Sequence, residues 1–230
     1  MPRPAAIFDL DGTLLQGGSA ERLLVRRALR ARVVGPGRVG WGVLRALRAW
    51  AAGQVVTPGQ YKAWLTGAEC RRVEALAVDC VHSDVVPRLR PALLRALERH
   101  RAEGCCIVLL SGTPDFLADE LARFLHADAG LGSCLERAGG RFTGHVLPPY
   151  PYGEGKLRAL RQLAGRFEID LGASHAYANR ASDAAHLQHV GHAVAVAPDV
   201  SLRRLARERG WPVLEDRDAG TGSPPGGSPR

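Results

Sequence analysis

The stretch AAIFDLDGTLL, residues 5–15, decides how the rest of the chain is read. An apolar run ends on Asp9, Asp11 follows, and Gly12-Thr13 break the pattern. Taken alone, this is a short buried strand at residues 5–9 running into a turn, because Asp and Gly are ordinary turn residues. Two carboxylates just past a strand end gain chemical meaning only if other polar residues gather at the same place. The remainder of the chain must therefore show where its other strands end.

Residues 20–33 and 40–53 have helical periodicity with many arginines and are separated by the breaker GPGRVG at 35–40. Two further helical stretches are expected at 58–66 and 69–82, with no strand pattern from 16 to 87. The pattern changes at residue 91. PALLRALERHRAEG (91–104) reads as an amphipathic helix with Pro91 in its first turn and Gly104 as terminator. CCIVLL (105–110) is continuously apolar, as a strand buried on both faces should be. TPDFLADELARFL (113–125) is read as a helix capped by Thr113 with Pro114 just inside. CLERAGGRFTGHV (134–146) reads as a hairpin turning at Gly139-Gly140. Helices at 154–167, 183–189 and 200–210 then alternate with strands at 174–178, 192–196 and 212–214. Such alternation predicts an α/β fold: a Rossmann-like, three-layer core with a parallel sheet, built from residues 1–15 and 88–215. The helices at 16–87 form an inserted all-helical cap, and the Gly/Ser/Pro-rich residues 216–230 read as a disordered tail.

Composition narrows the function classes. Hydrophobic residues make up 46% and charged residues 23% of the 230, an ordinary globular balance, and no apolar run is long enough to span a bilayer. No signal-peptide order precedes Asp9, and the chain is read as cytoplasmic. The five cysteines are odd in number, and with Cys105-Cys106 inside an apolar run they are read as buried free thiols. Net charge is +8, which suits anionic partners, yet no nucleic-acid reading module is recognisable and none is expected to bind. The arginines of the cap are read as a solvated face, with contact to a membrane surface left open. The basic residues are almost all arginine: Lys62 and Lys156 are the only lysines, which makes each conspicuous.

In a parallel sheet with both faces covered, ligands bind beyond the carboxyl ends of the strands. There the sequence places Asp9, Asp11 and Thr13; then Ser111-Gly112-Thr113; then Asn179, Ser182 and Asp183; with Lys156 near a helix start. Hydroxyls and helix-start amides take phosphate oxygens, lysine offers a compact positive charge, and carboxylate oxygens suit magnesium.

With these residues in place, the chain resembles the haloacid dehalogenase (HAD) superfamily of phosphatases. The nearest resemblance is to the phosphoserine phosphatase-like subgroup, which carries a helical cap after the first motif. The motifs are DLDGT (9–13), SGT (111–113), Lys156 in YGEGK and NRASD (179–183), and the resemblance covers residues 5 to 215. It implies hydrolysis of a small phosphorylated metabolite with Mg2+. Asp9 would be the nucleophile that forms an aspartyl-phosphate and a direct metal ligand. Asp11 would be general acid and then general base, touching the metal through its carbonyl. Ser111, Gly112 and Lys156 would hold the phosphate, and Asn179 and Asp183 would complete the metal site.

Two departures matter. The fourth motif of the family begins with aspartate, and here that position is Asn179, whose amide brings no charge to a divalent ion. Two readings stay open: a working phosphatase with a weaker metal site, or a catalytically weakened relative that binds a phosphorylated ligand or a protein partner. The cap neighbourhood Gly17-Gly18-Ser19 also lacks the acidic residue with which phosphoserine phosphatases hold the substrate amine, and Glu21 is only loosely placed, so phosphoserine is not the expected substrate. His186 and His189 stand where the family is apolar or small; they are read as surface residues. Substrate identity and oligomeric state are not legible.

Overall fold

The computed structural model describes residues 2–35, 37, 40, 44 and 62–215. The helix expected at 40–53, apart from residues 40 and 44, and the tail at 216–230 lie outside the described residues.

The strands are β1 (Ala5–Phe8), β2 (Cys106–Pro114), β3 (Ala129–Ser133), β6 (His175–Ala178), β7 (His192–Val196) and β8 (Val213–Leu214). They form one sheet in the order β3-β2-β1-β6-β7-β8, parallel at every pairing. The order reverses at β1: the chain builds outward through β2 and β3, then returns to place β6 on the other side of β1. A crevice opens at such a switch point beyond the carboxyl ends of the strands.

Side chains alternate across the sheet with the two-residue period of a strand. Ala6, Phe8, Ile107 and Leu109 enter one core together with Leu24, Val73, Leu97 and Leu121. Those last four come from α1 (Ala20–Arg30), α2 (Cys70–Cys80), α3 (Pro91–Ala102) and α4 (Asp115–Phe124). Ala5, Ile7, Cys106, Val108 and Leu110 enter the other core with Leu160, Leu187 and Leu202. These belong to α5 (Glu154–Phe167), α6 (Ala184–Leu187) and α7 (Val200–Arg209). The continuous apolar runs in β1 and β2 thus have a physical cause, burial on both faces.

A small antiparallel hairpin, β4 (Leu135–Ala138) and β5 (Arg141–Val146), turns at Gly139-Gly140 as the sequence implies. Its second strand is bonded to the segment before α2, with Lys62 N donating to Gly144 O at 2.7 Å and Gly67 N to Phe142 O at 2.7 Å. The chain leaves the core after Leu15 and returns at Leu89 beside its own exit: Gln16 N donates to Arg88 O at 3.0 Å and Arg90 N to Leu14 O at 2.8 Å.

Several local expectations are corrected. The second strand continues through Pro114 and the helix begins at Asp115, so Thr113 is strand, not cap. The buried Thr113 hydroxyl has no hydrogen-bond partner among the described residues. Of the helix expected at 58–66, residues 58–61 lie outside the described residues, and residues 63–65 are a 3-10 turn. The helix expected at 183–189 is a 3-10 turn at Ala181–Asp183 followed by the short α6. Strand β3 escaped the sequence reading because AGLGS looks like a loop. A Cβ on Gly130 would lie 2.8 Å from Ala118 O, and one on Gly132 would lie 2.7 Å from the Cα of Asp115, so α4 rests directly on the strand backbone. Of the cysteines, four are buried as expected and Cys134 is exposed.

Because adjacent residues of β1 point into different cores, both should matter to stability. Ile7→Ala is expected to cost about 2–5 kcal/mol and Phe8→Ala about 3–5 kcal/mol in urea unfolding. A loss below about 1 kcal/mol for either would mean that its face is not packed.

Candidate active site

β1 ends at Phe8, so Asp9 emerges at the carboxyl edge of the sheet, with its N–H still bonded to Tyr177 O at 3.0 Å. Asp9 is 4% exposed, and its carboxylate accepts from two directions. Thr13 Oγ1 donates to Oδ2 at 2.8 Å and Lys156 Nζ to Oδ1 at 2.6 Å. The same ammonium lies 2.7 Å from Asp183 Oδ1. Lys156 stands in the first turn of α5 and Asp183 in the turn after β6, so three distant segments meet on one buried ion-pair network. Burial disfavours the ammonium, but the charges and hydrogen bonds of Asp9 and Asp183 outweigh it and raise the Lys156 pKa.

The turn after β1 is held rigidly. Gly12 has φ +85°, and a Cβ there would lie 2.1 Å from Asn179 Nδ2, so the Asn179 amide packs against the bare backbone of Gly12. Asn179 Oδ1 is 3.4 Å from Thr13 Oγ1. Arg90, itself buried, donates to Thr13 O at 2.8 Å and to Gly12 O at 3.1 Å, which ties this turn to the returning chain. The sequence reading missed Arg90; its place two residues after the returning Arg88 gives no motif.

Asp11 does something the sequence did not suggest. Its Oδ1 accepts the N–H of Ala20 at 2.9 Å, at the first residue of α1. Burial raises the Asp11 pKa above its ordinary value, and the nearby Asp9 and Glu21 charges add to this, against the opposing bonds from Ala20 and Ser19. The two carboxylates of the first motif thus live in different surroundings: one faces an ammonium and a hydroxyl, the other a helix start and two acids.

Asp9, Asp11, Ser111, Gly112, Lys156, Asn179 and Asp183 all line one cleft of about 500 Å³. Ser111 and Gly112 lie at the end of β2, where Ser111 Oγ accepts from Thr113 N at 3.2 Å and Gly112 O accepts from Ser133 Oγ at 2.8 Å. Across the mouth stands a group the sequence reading left unassembled. Lys62 is ion-paired to Glu21, and Trp64 Nε1 donates to Glu21 Oε1 at 2.8 Å. The two lysines of the chain therefore line the same cleft, each against a carboxylate. Arg22 and Arg180 line it too, so the arginine of α1 nearest the cleft is part of its wall and not only a solvated face.

His186 is corrected. It is fully buried, with no hydrogen-bond partner at either ring nitrogen among the described residues, and burial and the Lys156 charge push its pKa down to about 3. His189 is on the surface as expected, with Nδ1 2.7 Å from Ala185 O.

Comparison with known proteins agrees with this geometry. Residues 6–188 match the haloacid dehalogenase-like hydrolase family. A phosphoserine phosphatase of Mycobacterium tuberculosis is 34% identical over 225 residues, covering 94% of this chain and 71% of that protein. A solved structure of a protein of unknown function from Bordetella pertussis superposes with a TM-score of 0.79 at 23% identity, covering 94% of this chain and all of that one. A substrate-bound phosphoserine phosphatase superposes with a TM-score of 0.63 at 16% identity, covering 93% of both chains.

The raised Asp11 pKa fixes the sign of a stability effect. Its contribution is fully present below the ordinary value of 3.8 and is lost as pH rises through the raised value, so at neutral pH the ionised group costs stability. Asp11→Asn keeps an oxygen for the Ala20 N–H and removes that cost. The variant should be more stable than the parent at pH 8, and the gap should close as the pH falls toward the ordinary carboxylate range. Equal or lower stability at pH 8 would contradict the burial of the Asp11 charge.

Proposed function

The chain belongs to the haloacid dehalogenase-like hydrolases, and on that premise we propose that it hydrolyses a small phosphomonoester through an aspartyl-phosphate on Asp9, with Mg2+ as cofactor. The fold and the relatives support phosphomonoester hydrolysis as the general activity. The observation that carries the finer reading is the buried contact of Lys156 with both Asp9 and Asp183, at the floor of a cleft that also presents Ser111 and Gly112.

In the first step an Asp9 carboxylate oxygen attacks phosphorus and the ester P–O bond breaks. The raised pKa of Asp11 supports a protonated carboxyl that delivers its proton to the departing oxygen. In the second step the Asp11 carboxylate takes a proton from water, the water oxygen bonds to phosphorus, and the Asp9–phosphorus bond breaks. Lys156 offsets the negative charge gathered on Asp9 and the phosphoryl group, and the Ser111 hydroxyl and Gly112 amide hold its oxygens. The cleft floor offers oxygen donors from Asp9, Asn179 and Asp183, with no histidine or cysteine along its lining among the described residues, a set that fits a hard divalent cation. Magnesium held there, with the Asp11 carbonyl, would supply charge neutralisation for the phosphate.

The cap spans 16–87 in this reading, supported by the pairing of Leu15 with Leu89 where the chain leaves and returns. Glu21 is engaged by Lys62 and Trp64, which supports a substrate without an ammonium group. Arg22 and Arg180 at the mouth favour an acidic phosphate ester.

Asp9→Asn preserves size and removes the nucleophile. The variant should fold and lose turnover of para-nitrophenyl phosphate by at least about 10³-fold; near-parental activity would reject Asp9 as nucleophile.

Asn179, whose amide adds no charge beside the ion, keeps two readings apart: a phosphatase with a weaker metal site, or a catalytically weakened relative that binds a phosphorylated ligand or a protein partner. Asn179→Asp should lower the magnesium concentration for half-maximal activity by about tenfold, with a smaller change in the saturated rate. Tighter magnesium binding by calorimetry with no turnover in either version would favour the binding protein, and unchanged metal affinity would remove Asn179 from the metal.

A further inference from the structure

The opposite edge of the sheet carries a second set of chemistry-bearing side chains. Cys105 immediately precedes β2, and His175 and His192 open β6 and β7 and are register partners. His100 and Glu103 stand at the carboxyl end of α3. One ligand atom from each of His100, Glu103 and Cys105 lies within 4.8 Å of the other two, the one such group of His, Cys, Asp and Glu among the described residues. We propose that His100, Glu103 and Cys105 form a binding site for a zinc-class transition-metal ion, separate from the cleft at the carboxyl edge.

The geometry favours this on three counts. First, the donors are an imidazole nitrogen, a carboxylate oxygen and a sulfur, which suit zinc and its neighbours and not magnesium. Ligands of a tetrahedral zinc lie about 3.3–3.8 Å apart, given bonds of about 2.0–2.3 Å, so the three need draw in only modestly. Glu103 is exposed at the helix end, and its Oε2 is already 3.2 Å from His100 Nδ1.

Second, His100 is oriented from behind. Its Nε2 is 2.8 Å from the hydroxyl of Tyr177, whose ring stacks on Phe8 at 4.7 Å. With a metal on Nδ1, Nε2–H donates to the Tyr177 oxygen, the kind of outer bond that fixes a ligating imidazole. Third, the rings are held neutral. His100 lies 4.4 Å from His175, which stacks at 4.5 Å on His192. Burial lowers the His100 pKa, and burial with the neighbouring His100 and His192 pushes His175 down to about 4. A neutral imidazole is the form that ligates.

Binding converts the Cys105 thiol to a thiolate and releases one proton to solvent. Burial raises the Cys105 pKa, with the Glu103 charge adding to it, so affinity should rise with pH. Three protein ligands leave a fourth position for water. The ion would fasten the end of α3 to the start of β2 and add to stability by mass action.

Cobalt(II) is the probe. Titration into the metal-free chain with millimolar magnesium present should produce a thiolate-to-cobalt charge-transfer band in the near ultraviolet and tetrahedral d–d bands, both removed by one equivalent of zinc. The band should survive Cys134→Ser, the exposed thiol, and vanish in Cys105→Ser. Glu103→Gln, on the surface and harmless to folding, should weaken cobalt binding at least about tenfold. Absence of a thiolate band at saturating cobalt, its survival in Cys105→Ser, or undiminished affinity in Glu103→Gln would overturn the proposal.

Discussion

The Lys156 ammonium sits between the Asp9 and Asp183 carboxylates, and all three side chains are almost wholly removed from water. Taking charges out of water costs several kcal/mol each, and the arrangement persists only because contacts of 2.6 and 2.7 Å return that cost. The network needs the end of β1, the turn after β6 and the first turn of α5 to arrive at one point. Loss of Lys156 strands two buried carboxylates, a defect of about 3–5 kcal/mol, whereas loss of either carboxylate leaves the ammonium paired with the other. The rest of the architecture serves this convergence. The sheet reverses at β1, so Asp9 and Asn179 flank the crevice. Gly12 gives up its side chain to let Asn179 approach, and Arg90 clamps the two carbonyls of the turn.

The same convergence separates the two aspartates of the first motif. Asp9 faces a cation and a hydroxyl. Asp11, two residues on, turns toward the start of α1 and is pushed toward its protonated form by burial and by Asp9 itself. The two neighbouring carboxylates differ because each side chain points into different surroundings. Because Asp11 also accepts from Ala20, any shift of α1 would alter the surroundings of Asp11, and the same helix carries Glu21 and Arg22.

Much of this was legible in the sequence, for identifiable reasons. Strands buried on both faces read as unbroken apolar runs, so β1 and β2 were evident, and the polar residues beyond them followed from the sheet's polarity. The scarcity of lysine made Lys62 and Lys156 stand out, and both line the cleft. What failed depended on contacts between distant segments. Strand β3 was hidden because α4 needs glycine beneath it. Thr113 looked like a cap until Ser111–Pro114 proved to extend the strand. His186 was placed at the surface, since nothing local says that its short helix faces inward. The Glu21–Lys62–Trp64 group and the clamp by Arg90 join residues at least 41 apart, and no pattern along the chain records them.

The central claim is that phosphorus bonds to Asp9. The most direct test mixes the protein with para-nitrophenyl phosphate and magnesium, quenches with acid, reduces with borohydride and maps the peptides by mass spectrometry. An acyl-phosphate is reduced to the alcohol, so substrate-dependent homoserine at position 9 is the predicted result. Homoserine at another aspartate, or para-nitrophenol release with none at position 9, would contradict the account.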